Sequence, residues 1–416
     1  MPSLTEPAAE RLLAAHAFAP GRPGFVGLAV DLLLDEPGLP GPVTRALHAR
    51  WRLRHGLLGA RSPRIVVVSG PPSPGLDTCA ERMAEDLRLS LPLLAAHRIG
   101  VRDQAADTID PATVAGDLHA IASASGNSHA ADGIAATPSN SHAADGIAVA
   151  PGGFHPADGT PGAAPVAGDV YGTATAGVRV ALEAGVAGAG PLGLRRRWDL
   201  AHAVAPVLAA AFAHAPLRHG RPSGWRSTRQ ALRRHLPPVP PAPPGGGPRA
   251  AWTALVLDAP VAGAGRTFRS WCRSGPGDRP TVADLHRHLA GLRPPVAARG
   301  HLVLDVADRQ PGDGWRVPLA VITALLDDPR AAAQAEAATL GLAATPRLWE
   351  RAARDALTDP ALAAAARECF LAAYAALARQ GAARPTRDAV ADFTERYVLR
   401  GRCPADDVLD AMAARP

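Results

Sequence analysis

Three acidic residues fall on strand-like segments at positions where carboxylates could hold a metal ion. In 25–34 (FVGLAVDLLL), the two-residue period of a strand places Val26, Leu28, Val30 and Leu32 on one face and Gly27, Ala29 and Asp31 on the other. In 173–183, Val178, Val180 and Leu182 alternate with Arg179, Ala181 and Glu183; in 301–307, Leu302, Leu304 and Val306 alternate with His301, Val303 and Asp305. Each segment thus sets an acid opposite an apolar row. Such a face is either a solvated sheet surface or one wall of a cleft where Asp31, Glu183 and Asp305 hold Mg²⁺ and arginines hold phosphate. A second cluster is GWRSTRQ at 224–230, in which Arg226 and Arg229 are three apart at a helix start with Trp225 as an anchor. A guanidinium fork matches a carboxylate or phosphate bidentately. A third is RQPGDGW at 309–315, a turn-rich loop directly after a strand, where sites are often carried.

The elements that must position these residues can be read from the same chain. Val- or Leu-rich runs bounded by Gly or Pro predict strands at 25–34, 64–68, 173–183 and 301–307. Helices are expected at 78–96, with Thr78 and Glu81 as a capping-box pair, at 196–215, and at 281–292 with Thr281 as N-cap. The last quarter reads as nearly all helix: 346–356, 360–379, 386–399 and 405–413, with Thr345–Pro346 and Asp359–Pro360 as cap-then-proline starts. Strands do not alternate regularly with helices, so the fold class is α+β, an antiparallel sheet with helices packed on one side and a helical C-terminal quarter.

Composition bounds the chemistry. The 416 residues suffice for a large buried core, but aromatics are only 4%, so that core must rest on Leu, Val and Ala. There is no lysine; all 44 basic residues are arginine, which excludes Schiff-base chemistry and a Walker A loop. The net charge of +6 would allow a nucleic-acid partner, but the arginines are interleaved with Asp and Glu, which argues against one. Cys79, Cys272, Cys369 and Cys403 form no C-x-x-C pair, which fits reduced thiols in a cytoplasmic protein. The N-terminus lacks the basic region of a signal peptide, and no uninterrupted apolar run reaches the roughly 18 residues of a membrane span. Residues 122–168 repeat NSHAADGIA from Asn127 and Asn140, with His129, His142 and His155 evenly spaced. No ligand-like short spacing joins them, and their low apolar content predicts a disordered insert. The expected organisation is 1–121, the insert 122–168, and 169–416, with a Pro-rich connection at 236–248.

PSGWRSTRQ, DRQPGDGWRVPLAV and ERYVLRGRCPADDVLD, with SGPPSPGLDTC from Ser69 and TATAGVRVALEAG from Thr173, together resemble the actinobacterial glutamate–cysteine ligases of ergothioneine biosynthesis. These belong to the carboxylate–amine ligase family. The resemblance implies a glutamine-synthetase-like fold. It also implies a reaction in which ATP phosphorylates the γ-carboxylate of glutamate and the cysteine amine attacks the acyl phosphate, with Mg²⁺ between the carboxylates and the ATP phosphates. On this reading Asp31, Glu183 and Asp305 are the metal residues, and Arg226 and Arg229 bind substrate or ATP. The polar row departs from the family. A strand resembling Val-Gly-x-Glu-x-Glu reads Val26-Gly27-Leu28-Ala29-Val30-Asp31, and Val67 and Val303 stand where further acids would fall. A second reading is therefore a catalytically degenerate relative that binds a ligand or partner.

Overall fold

The computed structural model describes residues 3–108, 173–233 and 247–414, less residues 20, 36–38, 40, 42, 44–46, 48, 49, 103, 104, 189, 219 and 263. The insert 122–168 and residues 236–246 of the Pro-rich connection lie outside the described residues.

The described strands are β1 (Phe25–Leu34), β2 (Trp51–Arg52), β3 (Leu57–Ser62), β4 (Ile65–Ser69), β5 (Ser73–Pro74), β6 (Val101–Arg102), β7 (Ala106–Thr108), β8 (Thr173–Thr175), β9 (Gly177–Leu182), β10 (Leu217–Arg218), β11 (Arg221–Pro222), β12 (Val296–Ala298) and β13 (Leu302–Asp308). The main sheet has the order β12-β13-β9-β1-β4-β3-β2, with β5 and β6 also on β1, and every pairing is antiparallel. β1 lies between β9 and β4, and all of it beyond Phe25 is buried. Its even-numbered row from Val26 to Leu34 enters the main core with Val66, Val68, Val178, Val180 and Leu182. Ala29, Leu33, Ile65 and Val67 form a smaller apolar layer on the other face with Ala174 and Ala176.

α-Helices accompany the sheet. They are α1 (Glu6–Ala17), α2 (Leu76–Ala96), α3 (Leu194–Ala211), α4 (Thr228–Leu232), α5 (Pro248–Asp258), α6 (Phe268–Cys272), α7 (Val282–Gly291), α8 (Arg316–Asp327), α9 (Pro329–Thr339), α10 (Leu348–Arg354), α11 (Pro360–Arg379), α12 (Arg384–Arg396) and α13 (Pro404–Ala413). α2, α3 and α8 pack on the sheet, and α11 lies behind α8. α8 is buried all round from Val317 to Leu326, as its lack of a polar stripe requires. The expected α+β class, with an antiparallel sheet, helices to one side and a helical last quarter, is the class observed. α11 is long and apolar enough to cross a membrane, but Leu362, Ala366, Phe370, Ala373 and Leu377 place it in this core.

Several boundaries differ from the sequence reading for local reasons. Residues 173–183 are two strands, because Ala176 gives its N–H to Ala105 and its carbonyl to Arg309; β8 pairs with β7 and only β9 joins the main sheet. α2 starts at Leu76, so Thr78 and Glu81 make no capping box. Gly75 at φ +79 turns the chain into the helix early. α10 starts at Leu348 after Arg347 in the left-handed region, so Thr345 does not cap it. Thr281 with Asp284, and Asp359 on the N–H groups of Ala361 and Leu362, do cap their helices.

Candidate functional site

The face of the sheet away from α8 carries the polar row, and arginines gather on it. Asp31 is fully buried there. Its Oδ2 accepts from Arg61 at 2.5 Å and from the Gly177 N–H at 3.0 Å, and its Oδ1 accepts from Arg179 at 3.0 Å. Burial raises the Asp31 carboxyl, but Arg179 and Arg61 outweigh it and hold the group below the usual carboxylate range. Arg179 reaches Asp31 because the β1–β9 register pairs Ala29 with Arg179, one diagonal step away. Arg61 sits in an irregularity of β3 between Ala60 and Ser62, which frees its side chain to cross β4.

Asp305 lies in the irregular stretch of β13 between Leu304 and Ala307 and is 4% exposed. Arg229 of α4 binds its Oδ1, and Arg233, one turn on, binds its Oδ2 at 2.7 Å. Burial again opposes ionisation, and Arg229, Arg233 and Arg179 together pull the Asp305 carboxyl far below its ordinary value. Burial brings Arg233 down to about 10, with Asp305 acting against the change. Arg229 lies across Gly177, where any Cβ would collide with the guanidinium. It also approaches Asp308 at 3.6 Å. Asp308 ties the loops behind the sheet by accepting from the His214 N–H at 2.8 Å and from Ser227 Oγ at 3.0 Å, and burial pushes its carboxyl up.

Between these acid–arginine groups the face opens into a small, half-open cleft. Arg179, Arg293, Arg299, His301 and Asp305 supply its polar lining, and Ala29, Ala181, Ala297 and Val303 much of its floor.

The structure therefore brings Asp31 and Asp305 to one face but holds Glu183 apart. β9 ends at Leu182, and Glu183 turns toward the entry of β1, where the Phe25 N–H meets its Oε2 at 3.5 Å and Gly21 lies against Oε1. Burial raises the Glu183 carboxyl. Arg226 and Arg229 also separate: Arg226 pairs with Asp406 of α13 at 2.9 Å and reaches the Arg354 carbonyl, away from the cleft. The 309–315 loop is structural. Trp315 is fully buried, and Gln310 donates to the carbonyls of Phe212 and Asp308.

The donor set does not fit Mg²⁺. Among the described residues no group of three or more His, Cys, Asp or Glu is placed to hold a metal ion. Both oxygens of Asp31 and of Asp305 already accept from guanidinium groups, so a divalent cation beside them would stand among like charges. Four arginines of this face are not among the residues singled out from the sequence: Arg61, Arg233, Arg293 and Arg299. Arg233 has a signal, its i+4 spacing from Arg229 on one helix face; Arg61, Arg293 and Arg299 have none.

The family model described as glutamate-cysteine ligase family 2 (GCS2) matches residues 173–416, which include Arg179, Arg229, Arg233, Arg293, Arg299 and Asp305. Glutamate–cysteine ligase EgtA of Mycolicibacterium smegmatis is 35% identical over 268 residues, 60% of this chain and 60% of that protein. Glutamate–cysteine ligase EgtA of Mycobacterium tuberculosis is 33% identical over 274 residues, 61% of this chain and 59% of that protein. The chain thus spans about three fifths of the length of the curated relatives it matches. With more than half of its residues inside the family match, the chain belongs to glutamate–cysteine ligase family 2.

Proposed function

We propose that this chain is an ATP-dependent glutamate–cysteine ligase acting on small-molecule substrates, L-glutamate, L-cysteine and ATP, to form γ-glutamylcysteine for ergothioneine biosynthesis. The observation that carries the reading is the arginine-lined face of an antiparallel sheet in a chain of this family. Both substrates that must be brought together carry oxyanions, the glutamate carboxylates and the ATP phosphates. Guanidinium groups fixed in a partly enclosed cleft orient such groups and stabilise charge that develops on them. In this role Arg229 is a positioning residue: it holds Asp305 and the wall of the cleft. ATP phosphorylates the γ-carboxylate and releases ADP; the cysteine nitrogen then displaces phosphate. A cytoplasmic setting is supported by four buried cysteines that form no disulfide.

A second reading, a relative that binds these ligands without turning them over, is favoured by the pairing of Asp31 and Asp305 with arginines and by Ala29, Val67 and Val303 in the polar row. Purified protein incubated with glutamate, cysteine and ATP, with γ-glutamylcysteine and ADP followed by mass spectrometry, separates the two. Stoichiometric product and ADP support the ligase, at a turnover below the usual enzyme range of about 1 s⁻¹ or more. Saturable glutamate binding with no product supports the second reading.

A further inference from the structure

α11 is unusually apolar for a helix with one face open. Before its last residue, Arg379, it carries only two charges, Arg367 and Glu368. Leu362, Ala366, Phe370, Ala373 and Leu377 fill the core. On the opposite face Leu371 is 52% exposed and Tyr374 40%, with Ala364 and Ala378 also exposed. A helix that is apolar on every side is normally buried on every side, and an apolar patch left open marks a surface that another body covers. Leu399, whose carbonyl accepts from Arg367 Nη2 at 3.3 Å, is 45% exposed and widens that surface. The face lies behind α8, away from the arginine-lined cleft, so what covers it is a separate question from the ligase reading.

Residues seven apart, about two turns, share a line on a helix, so Ala364, Leu371 and Ala378 form the ridge of this face. Arg367 and Tyr374, three residues on from Ala364 and Leu371, flank the ridge on one side; Glu368 and Ala375, four residues on, flank it on the other. The face is therefore complementary to itself, with a cation and a large ring on one flank and an anion and a small residue on the other. We propose that it binds a second copy of this chain, with the two α11 helices parallel across a twofold axis. A parallel twofold sets each flank against the opposite flank of the other copy. Arg367 then meets Glu368 of the second copy, and Tyr374 covers Ala375 of the second copy, each contact occurring twice. The ridge residues meet their own counterparts, and the small Ala364 and Ala378 let the backbones approach on either side of Leu371. An antiparallel pair would bring each flank to its own counterpart and leave both charges without an opposite partner.

Sedimentation equilibrium of the purified full chain tests this. The wild type should be a dimer that dissociates on dilution, and Leu371→Glu a monomer that is still folded by circular dichroism. Arg367→Glu should weaken the dimer about tenfold or more, because it sets a carboxylate against Glu368 of the second copy at two symmetric places. Adding Glu368→Arg to that variant should restore the affinity to within about threefold of wild type. No other charge on α11 lies within a turn of these two residues, so the exchange alters no pair inside the helix. Orientation has its own readout. The four native cysteines are buried, so Ala364→Cys and Ala378→Cys each supply an accessible thiol, and each variant alone should form a disulfide-linked dimer on mild oxidation. A monomeric wild type, a dimer that Leu371→Glu leaves intact, a double exchange as weak as Arg367→Glu, or cross-linking only when the two cysteine variants are mixed overturns the proposal.

Discussion

Arg226 and Arg229 sit three residues apart in one motif yet meet different acids, and the difference gives each a distinct expected effect. Arg229 and Asp305 are both about 95% buried, so Arg229→Ala leaves Asp305 with Arg233 as its remaining ion-pair partner and one carboxylate oxygen without its guanidinium, and should destabilise the protein by about 1–3 kcal/mol in urea unfolding. Arg226 is a quarter exposed and screened by solvent, so Arg226→Ala should cost no more than about 1 kcal/mol and leave phosphate and glutamate affinity unchanged. Gly177→Ala should displace the Arg229 guanidinium that covers it and mimic part of the Arg229→Ala loss. The carboxyls of Asp31 and Asp305 are held below their unfolded values, so their stabilisation is complete above the ordinary carboxyl range and fades as pH falls below about 4. Urea midpoints measured from pH 6 to 2 should drop steeply below pH 4, and Asp305→Asn should flatten that drop. Sequence spacing could show that both arginines share a helix start. It could not show that α13 would return to place Asp406 beside one of them, since that contact spans 180 residues.

At the scale of elements, alternation was enough to place Asp31 and Asp305 opposite the apolar rows, because β1 and β13 have a buried core face that fixes their register. The bounds 25–34 and 360–379 match β1 and α11, where Gly24 and the Asp359–Pro360 start punctuate the chain. Glu183 did not follow its strand's alternation, because β9 stops one residue earlier and the side chain turns to the Phe25 backbone. Irregularities in β3 and β13 were invisible in the sequence, and they are what let Arg61 and Asp305 meet their partners. β7 and β8 flank the His- and Asp-containing repeats and pair antiparallel, so the chain leaves and re-enters the described fold at one place. Deletion of residues 123–168 should therefore leave the melting temperature within a few degrees of wild type by calorimetry. A large drop would mean that the repeats contribute to the folded core.

At the scale of the whole molecule, one core runs from Leu4 to Ala405 and joins strands from before and after the insert in a single sheet. The helical last quarter supports this sheet from behind: α11 backs α8, and α8 backs β9. The open face is then left to arginines, and under the proposed function it is where substrate oxyanions bind. A crystal structure of the protein grown with L-glutamate and ADP tests it most directly. We expect a carboxylate or phosphate oxygen within about 3.2 Å of a guanidinium nitrogen of Arg179, Arg293 or Arg299, with no ordered cation bridging it to Asp31 or Asp305. Ligand density beside Glu183 or Arg226 with the cleft empty, or a metal ion coordinated by Asp31 and Asp305, would contradict it.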